Sequence, residues 1–293
     1  MKHRKETVLA YLFIIPAFIF LGTFVIYPSI MNFIYAFTDF YLLTPESVSF
    51  VGLDNFRFMF GDPRFLVALK NTLYYVAVYV PTQILVALLV AVLMNQRFAF
   101  RGLVRTIIFS VSVLPMVAIA NLWKMLVAPD GYFNFFLKIL GLPPQPFLNS
   151  PDQAMNVIIA MTVWQGVGGQ MILFLAGLQD IPRSLYEAAE VDGAKFFHKM
   201  IYITIPGLRN VLNFILVTTL IGAFGIFLQP YIMTGGGPRD STLTIMMTFY
   251  ETGFIYKDVG LAGAIMSIYF PIVLVLSLLQ RKIVGEERQV IVE

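Results

Sequence analysis

The stretch Ser184–Pro206, SLYEAAEVDGAKFFHKMIYITIP, is the longest polar segment of this chain with strongly apolar sequence on both sides. Ser184 and Glu187 have the S-x-x-E spacing of a capping box, in which each side chain satisfies an orphan donor of the first helical turn. Leu185 to Asp192 are mostly good helix formers, and Gly193 offers a helix stop. Ala194 to Thr204 could resume a helix that Pro206 would close. The local expectation is two short helices hinged at a glycine, held between two membrane-length segments.

The flanks of that segment set the class. Of 293 residues, 58% are hydrophobic and 13% charged, with a mean hydropathy of +0.79. Soluble domains carry about 25% charged residues, so half the usual charge is missing, and a soluble core this apolar would leave large sticky patches. The expected class is an all-α integral membrane protein. There is no cysteine, hence no disulfide frame or thiolate chemistry. Met1-Lys-His-Arg-Lys precedes a long apolar run without a small-residue cleavage site, which reads as an uncleaved first span.

Six spans of roughly 20 or more residues follow: about 8–37, 71–94, 106–127, 156–178, 211–233 and 259–279, with the polar loop at 179–210. Pro115 is expected to kink the third. The six form one membrane domain over 1–293, with no strong internal repeat. Basic residues favour one side of the membrane. Lys2, Arg4, Lys5, Arg97, Arg101, Arg105, Arg183, Lys195, Lys199, Arg209, Arg281, Lys282 and Arg288 make thirteen of the twenty. The positive-inside bias therefore puts both termini and the 179–210 loop in the cytoplasm.

Polar residues inside spans are costly in lipid and mark helix contacts or a watery path. Trp164, Gln165 and Gln170 in the fourth span, and Asn213 and Gln229 in the fifth, are the candidates for a solute path. Trp164 would stack on a ring-shaped solute or anchor an interface, and the amides would bind polar groups of a solute or join helices. Gly166, Gly168 and Gly169 permit close helix approach. Gly235, Gly236, Gly237 and Pro238 read as a surface turn. No G-x-x-x-x-G-K-[ST] P-loop, H-E-x-x-H or paired intramembrane carboxylates occur, which speaks against nucleotide binding in this chain, zinc chemistry and a proton relay. Basic residues scattered over loops give nucleic-acid binding no support.

Glu187, Ala188, Ala189, Asp192, Gly193 and Ala194, followed by Ile203, Ile205 and Pro206, resemble the EAA loop of permease subunits of binding-protein-dependent ABC importers. Met200 and Ile205 stand where Phe and Leu are commoner, and Asn210 where a second Pro is frequent. Val51 to Phe56 (VGLDNF) and the Gly235–Pro238 turn are similar to the carbohydrate-type members. The resemblance implies a six-helix permease in a bacterial or archaeal cytoplasmic membrane, with Glu187, Ala188, Ala189, Asp192, Gly193, Ala194 and Pro206 coupling it to an ATPase. It also implies partners: a second permease in a heterodimer, an ATPase dimer holding ATP and Mg, and an external substrate-binding protein docking near Gly235–Pro238. The chain itself would hold no cofactor and would not be an enzyme. Sugar or oligosaccharide is the expected cargo, with glycerol-phosphate or another solute, and then a secondary transporter, as alternatives.

Overall fold

The computed structural model describes residues 2–284 except residue 97; Arg97 and Arg288, both counted on the basic side above, lie outside the described residues. The chain is helical almost throughout. In order, it runs α1 (Lys2–Leu21), a π turn (Gly22–Ile26), α2 (Tyr27–Tyr35), α3 (Asp54–Gly61), α4 (Pro63–Asn95), α5 (Arg101–Val113), α6 (Met116–Leu126) and α7 (Tyr132–Ile139). Then come α8 (Ala154–Asp180), α9 (Arg183–Val191), α10 (Phe196–Lys199), a π turn (Met200–Thr204), α11 (Ile205–Gly207) and α12 (Arg209–Phe224). The last are α13 (Leu228–Met233), α14 (Ile245–Tyr250), a π turn (Glu251–Ile255) and α15 (Val259–Val284). Two isolated bridges, Thr38 with Phe50 and Tyr41 with Asp258, are the extended pairings among the described residues.

Among the described residues, four stretches are long and apolar enough to cross a bilayer unaided: Tyr11–Tyr35, Pro63–Asn95, Ala154–Asp180 and Val259–Leu276. Two more candidates are bent pairs, α5 with α6 at 99° and α10–α11 with α12 at 72°. The third expected span, 106–127, is thus broken rather than kinked. Pro115 pushes Leu114 out of the helical region, to φ −67° and ψ 143°, and the helix restarts beyond it. The fifth, 211–233, stops at Phe224; Gly225 to Phe227 interrupt it before α13. The second begins earlier than expected because Asp62 accepts the Arg64 N–H at 2.9 Å and Pro63 fills the first turn without wasting a donor. The loop expected at 128–155 contains α7, an apolar run whose helical spacing is visible in Phe133, Phe136 and Leu137.

Contacts group the chain into two compact units, Met1–Phe65 with Thr248–Pro271, and Leu66–Met247 with Ile272–Glu293. In the first unit, Asn55 of the VGLDNF stretch gives its amide to the Ala36 and Thr38 carbonyls at 3.0 and 2.8 Å, tying off the end of α2. Asp39 accepts the Ser49 hydroxyl and then its amide, both at 2.6 Å, which holds its carboxyl below the usual range. Arg64 and Glu251 form an ion pair at 2.7 Å. The start of α15 lies backbone to backbone on this corner: a Cβ at Gly260 would stand 2.2 Å from the Thr38 oxygen, and one at Gly263 2.7 Å from the Asn32 oxygen. Gly260→Val is accordingly expected to lower the melting temperature of the detergent-purified protein, an overpacking cost of about 1–3 kcal/mol. Valine at Gly61, with nothing within 4 Å, is the control.

In the second unit α8 is the central helix. More than half of its central window, 56%, is buried, against none of Tyr11–Tyr35. It packs on α5, α12, α13 and α6. Met171, Phe174, Leu175 and Leu178 form its core with Ala87 and Ala91 of α4 and with Leu208 and Ile215. Close-packed side chains of this kind hold a bundle in lipid, where no hydrophobic force acts between helices.

Candidate functional site

Near its midpoint α8 carries Trp164-Gln-Gly-Val-Gly-Gly-Gln170, and the three glycines let neighbours reach its backbone. Ser112 of α5 donates its hydroxyl to the Gln165 carbonyl at 2.8 Å and accepts the Gly169 N–H at 2.9 Å. Gln83 of α4, fully buried, fits the same way between the Val163 carbonyl and the Val167 N–H, 3.2 Å from each, with its amide nitrogen toward Val163. Gly166 faces that amide, and a Cβ there would stand 3.0 Å from it. Gly168 faces α5, where a Cβ would stand 2.3 Å from the Ile108 carbonyl.

Beside this segment is a cavity of about 320 Å³, at the small end of ligand pockets. Tyr75 and Tyr79 come from α4, Thr162, Gln165, Gly166 and Gln170 from α8, and Thr218, Thr219 and Gly222 from α12. Met116, Ala223, Ile226 and Gln229 complete it. The tyrosine rings stack at 5.0 Å. Gln170 donates to the Thr219 hydroxyl at 2.8 Å, and its buried Oε1 has no partner among the described residues.

Of the five residues expected on a solute path, Gln165, Gln170 and Gln229 are brought together on this wall. Trp164 and Asn213 are not. Trp164 packs on Trp123 at 5.8 Å, which itself meets Phe133 at 5.8 Å, so its ring joins an aromatic cluster away from the cavity. Gln165 has a structural duty as well: its Nε2 donates to the Leu114 carbonyl at 3.2 Å, satisfying an oxygen freed by the break at Pro115.

The 179–210 segment is built otherwise than its sequence suggests. Pro182 precedes α9 as its cap residue, so Ser184 lies inside the first turn and no side chain caps the helix. Glu187 instead pairs with Arg183 at 2.9 Å, one turn back. The expected capping box is therefore absent. The C-terminus is a complete Schellman motif: Gly193, at φ +74°, donates to the Glu190 carbonyl at 3.0 Å and Ala194 to that of Ala189 at 2.8 Å. Pro206 stands in the last turn of the continuous helical run Phe196–Gly207, as expected of the residue that closes it, and the chain turns at Leu208.

No residue of α9 is buried. Glu187, Ala188, Asp192, Gly193 and Pro206 are exposed, and Ala189 and Ala194 half-buried. The helix is nonetheless fastened on one side. The Tyr186 hydroxyl meets buried Thr204 at 2.9 Å and its ring packs on the α8 core, while Lys199 reaches Glu190 at 2.9 Å. That lysine, by its hydrogen bond and then its charge, holds the Glu190 carboxyl below the usual range. Tyr186, which sequence reasoning passed over, is the anchor, and an aromatic residue beside an otherwise polar motif was its signal.

α9 is thus fastened on one side and free on the other, and it follows directly on α8, which lines the cavity. The family model described as binding-protein-dependent transport system inner membrane component matches residues 83–286. The chain belongs to that family. Among curated relatives of this inner membrane component, the lactose transport system permease protein of Rhizobium radiobacter is 34% identical over 283 residues, covering 94% of each chain. The trehalose/maltose permease protein of Thermococcus litoralis is 32% identical, covering 97% of this chain and 95% of its own. The arabinooligosaccharides permease protein of Bacillus subtilis is 32% identical, covering 94% and 88%. In fold, a chain of the crystal structure of a bacterial alginate ABC transporter, in complex with an alginate pentasaccharide-bound periplasmic protein, matches with a TM-score of 0.84 at 24% identity over 96% of each chain.

Within this inner membrane component the Gly235–Pro238 turn is held mostly from inside. Gly235 and Gly236 have φ of +61° and +89°, which favours glycine. Gly236 is buried against Met247 and Leu243, Gly237 and Pro238 are half-buried, and only Gly235 of the four is exposed. The Thr242 hydroxyl donates to the Gly237 carbonyl at 2.9 Å, and Asn71 donates to the Asp240 and Leu243 carbonyls at 2.7 and 3.0 Å.

Proposed function

We propose that this chain is a transmembrane subunit of an ATP-driven importer and moves a sugar or oligosaccharide delivered by an external binding protein. The observation that carries the reading is membership of the binding-protein-dependent family together with relatives named for lactose, trehalose/maltose and arabinooligosaccharide transport, matched over nearly the whole chain. In this reading the two bent helix pairs each count as one span, which makes six, and both termini and the 179–210 segment face the cytoplasm.

Coupling would run through α9. ATP and Mg are held by a partner ATPase dimer, which grips the free face bearing Glu187, Ala188 and Asp192. Gly193 fixes where that helix ends, Ala189 and Ala194 pack beneath it, and Pro206 closes the helix behind it. Movement of α9 passes directly into α8 and so to the cavity wall at Gln165 and Gln170. A second permease subunit completes the pathway, and the binding protein docks on the side of Gly235. The other half-buried turn residues, Gly236, Gly237 and Pro238, hold that surface in shape.

The test is reconstitution. Co-expressed with ATPase, second-permease and binding-protein genes from its own genome and placed in proteoliposomes, this subunit should support ATP-dependent uptake of a radiolabelled oligosaccharide. Leaving out the binding protein should remove at least nine-tenths of that uptake. Uptake driven equally well by an ion gradient without ATP would sink the reading in favour of a secondary transporter.

A further inference from the structure

We infer that the cavity is made for an uncharged, hydroxyl-rich solute and rejects anionic sugars, whether phosphorylated or uronic; this rests on the importer reading above. No residue on its wall is Asp, Glu, Lys, Arg or His. A phosphate or carboxylate entering it would leave water for a membrane-depth site with no cation to meet it, which is the costly way to bury charge. Lys124, on the same helix as wall residue Met116, is committed elsewhere: its Nζ donates to the Ile232 carbonyl at 3.1 Å, near the end of α13.

The neutral groups supply hydrogen-bonding partners without formal charge. Thr162 and Thr218 spend their protons on carbonyls of their own helices, Ile158 at 2.8 Å and Phe214 at 2.9 Å, so each can answer a further donor only with a lone pair. Thr219 accepts from Gln170, whose Oε1 is left over as a further acceptor. With them stand the Tyr79 hydroxyl and the Gln229 amide, which donate as well as accept. A sugar hydroxyl also does both and is answered by such a mixed neutral wall, whereas an anion only accepts and meets no full positive charge on it. The aromatic face of Tyr79, stacked on buried Tyr75, suits the C–H side of a sugar ring. Discrimination on the order of a hundredfold follows when a buried acceptor is answered in one ligand and opposed in the other.

The experiment uses the complete complex, purified with its second permease and ATPase but without the binding protein, which would select cargo by itself. Maltotriose, arabinotriose and lactose are compared with trigalacturonate and glycerol 3-phosphate by equilibrium binding, for the native complex and for Gln229→Arg and Gln170→Leu. At least one neutral probe should bind, the anions about a hundredfold more weakly. Gln229→Arg should bring the anions within about tenfold, and Gln170→Leu should weaken the neutral probe about tenfold. Equal binding of anions by the native complex overturns the inference and leaves the importer reading standing. So does binding of no probe by native and Gln229→Arg complexes that still contain the ATPase. Failure of ATPase and second permease to co-purify at all sinks the importer reading and this inference with it.

Discussion

Gly168→Val is expected to leave little folded subunit in the membrane. An ideal Cβ at Gly168 stands 2.3 Å from the Ile108 carbonyl, 2.8 Å from the Phe109 Cα and 2.7 Å from the Ser112 hydroxyl. Two of those atoms are backbone and cannot step aside, so α5 and α8 must part along the tightest contact of the second unit. Overpacking costs about 1–3 kcal/mol where a side chain can move, and here the Ser112 hydrogen bonds, each worth about 1 kcal/mol, go with it. Gly168→Ala should lower the melting temperature clearly, and Gly168→Val should reduce monodisperse protein to near background on fluorescence-detected size exclusion. Gly169→Ala is the comparison, since its Cβ meets nothing closer than 3.9 Å. A Gly168→Val protein as stable as Gly169→Ala would show that the two helices are not so closely apposed.

Gly193→Pro should do the opposite: abolish partner binding and leave folding alone. The residue is exposed with nothing within 4 Å, and α9 buries no side chain, so the core does not register the change. Locally the change is severe. Proline needs φ near −65° where the chain holds +74°, it removes the N–H that bonds Glu190, and it disfavours the helical ψ of 0° at Asp192. Several kcal/mol of local strain would unwind the end of α9. Affinity purification of the variant should retain the native melting temperature while losing the ATPase; retention of the ATPase at native levels would remove α9 from the coupling role. Glu187→Lys, which sets a cation beside Arg183 and exchanges the sign of the exposed face, should weaken the same association by about tenfold or more.

The helical class and the family were legible because they depend on composition and on a local motif. Half the usual charge requires the membrane, and Glu187 to Pro206 is a contiguous signature. What sequence reasoning missed depends on which surfaces meet. The break at Pro115 reads as a kink until Leu114 is seen in an extended conformation, satisfied by Gln165 from another helix. Hydroxyls at Thr162, Thr218 and Thr219 look like ordinary span residues, since a threonine in a helix commonly bonds its own preceding turn. Only the packing of α4, α8 and α12 turns them to one cavity. Trp164 drew attention by its type and lies in an aromatic cluster instead. Ser184 and Glu187 have the spacing of a cap, but the helix caps at Pro182, two residues too early for it.

The two side chains that reach into α8 leave a mark on how that helix can deform. At Val167 and Gly169 the amide protons have a second acceptor waiting, the Gln83 oxygen and the Ser112 hydroxyl, supplied by different neighbouring helices. Elsewhere in an apolar helix, bending stretches a bond for which the bilayer offers no substitute. Here the proton can pass its allegiance from carbonyl to side chain, and the bond count is conserved through the bend. The rod joining the cavity to α9 therefore has a compliant joint at Val163–Gly169. Its stiffness is set by α4 and α5, so amide hydrogen exchange at Val167 and Gly169 reports the grip of those neighbours and not the strength of α8 itself.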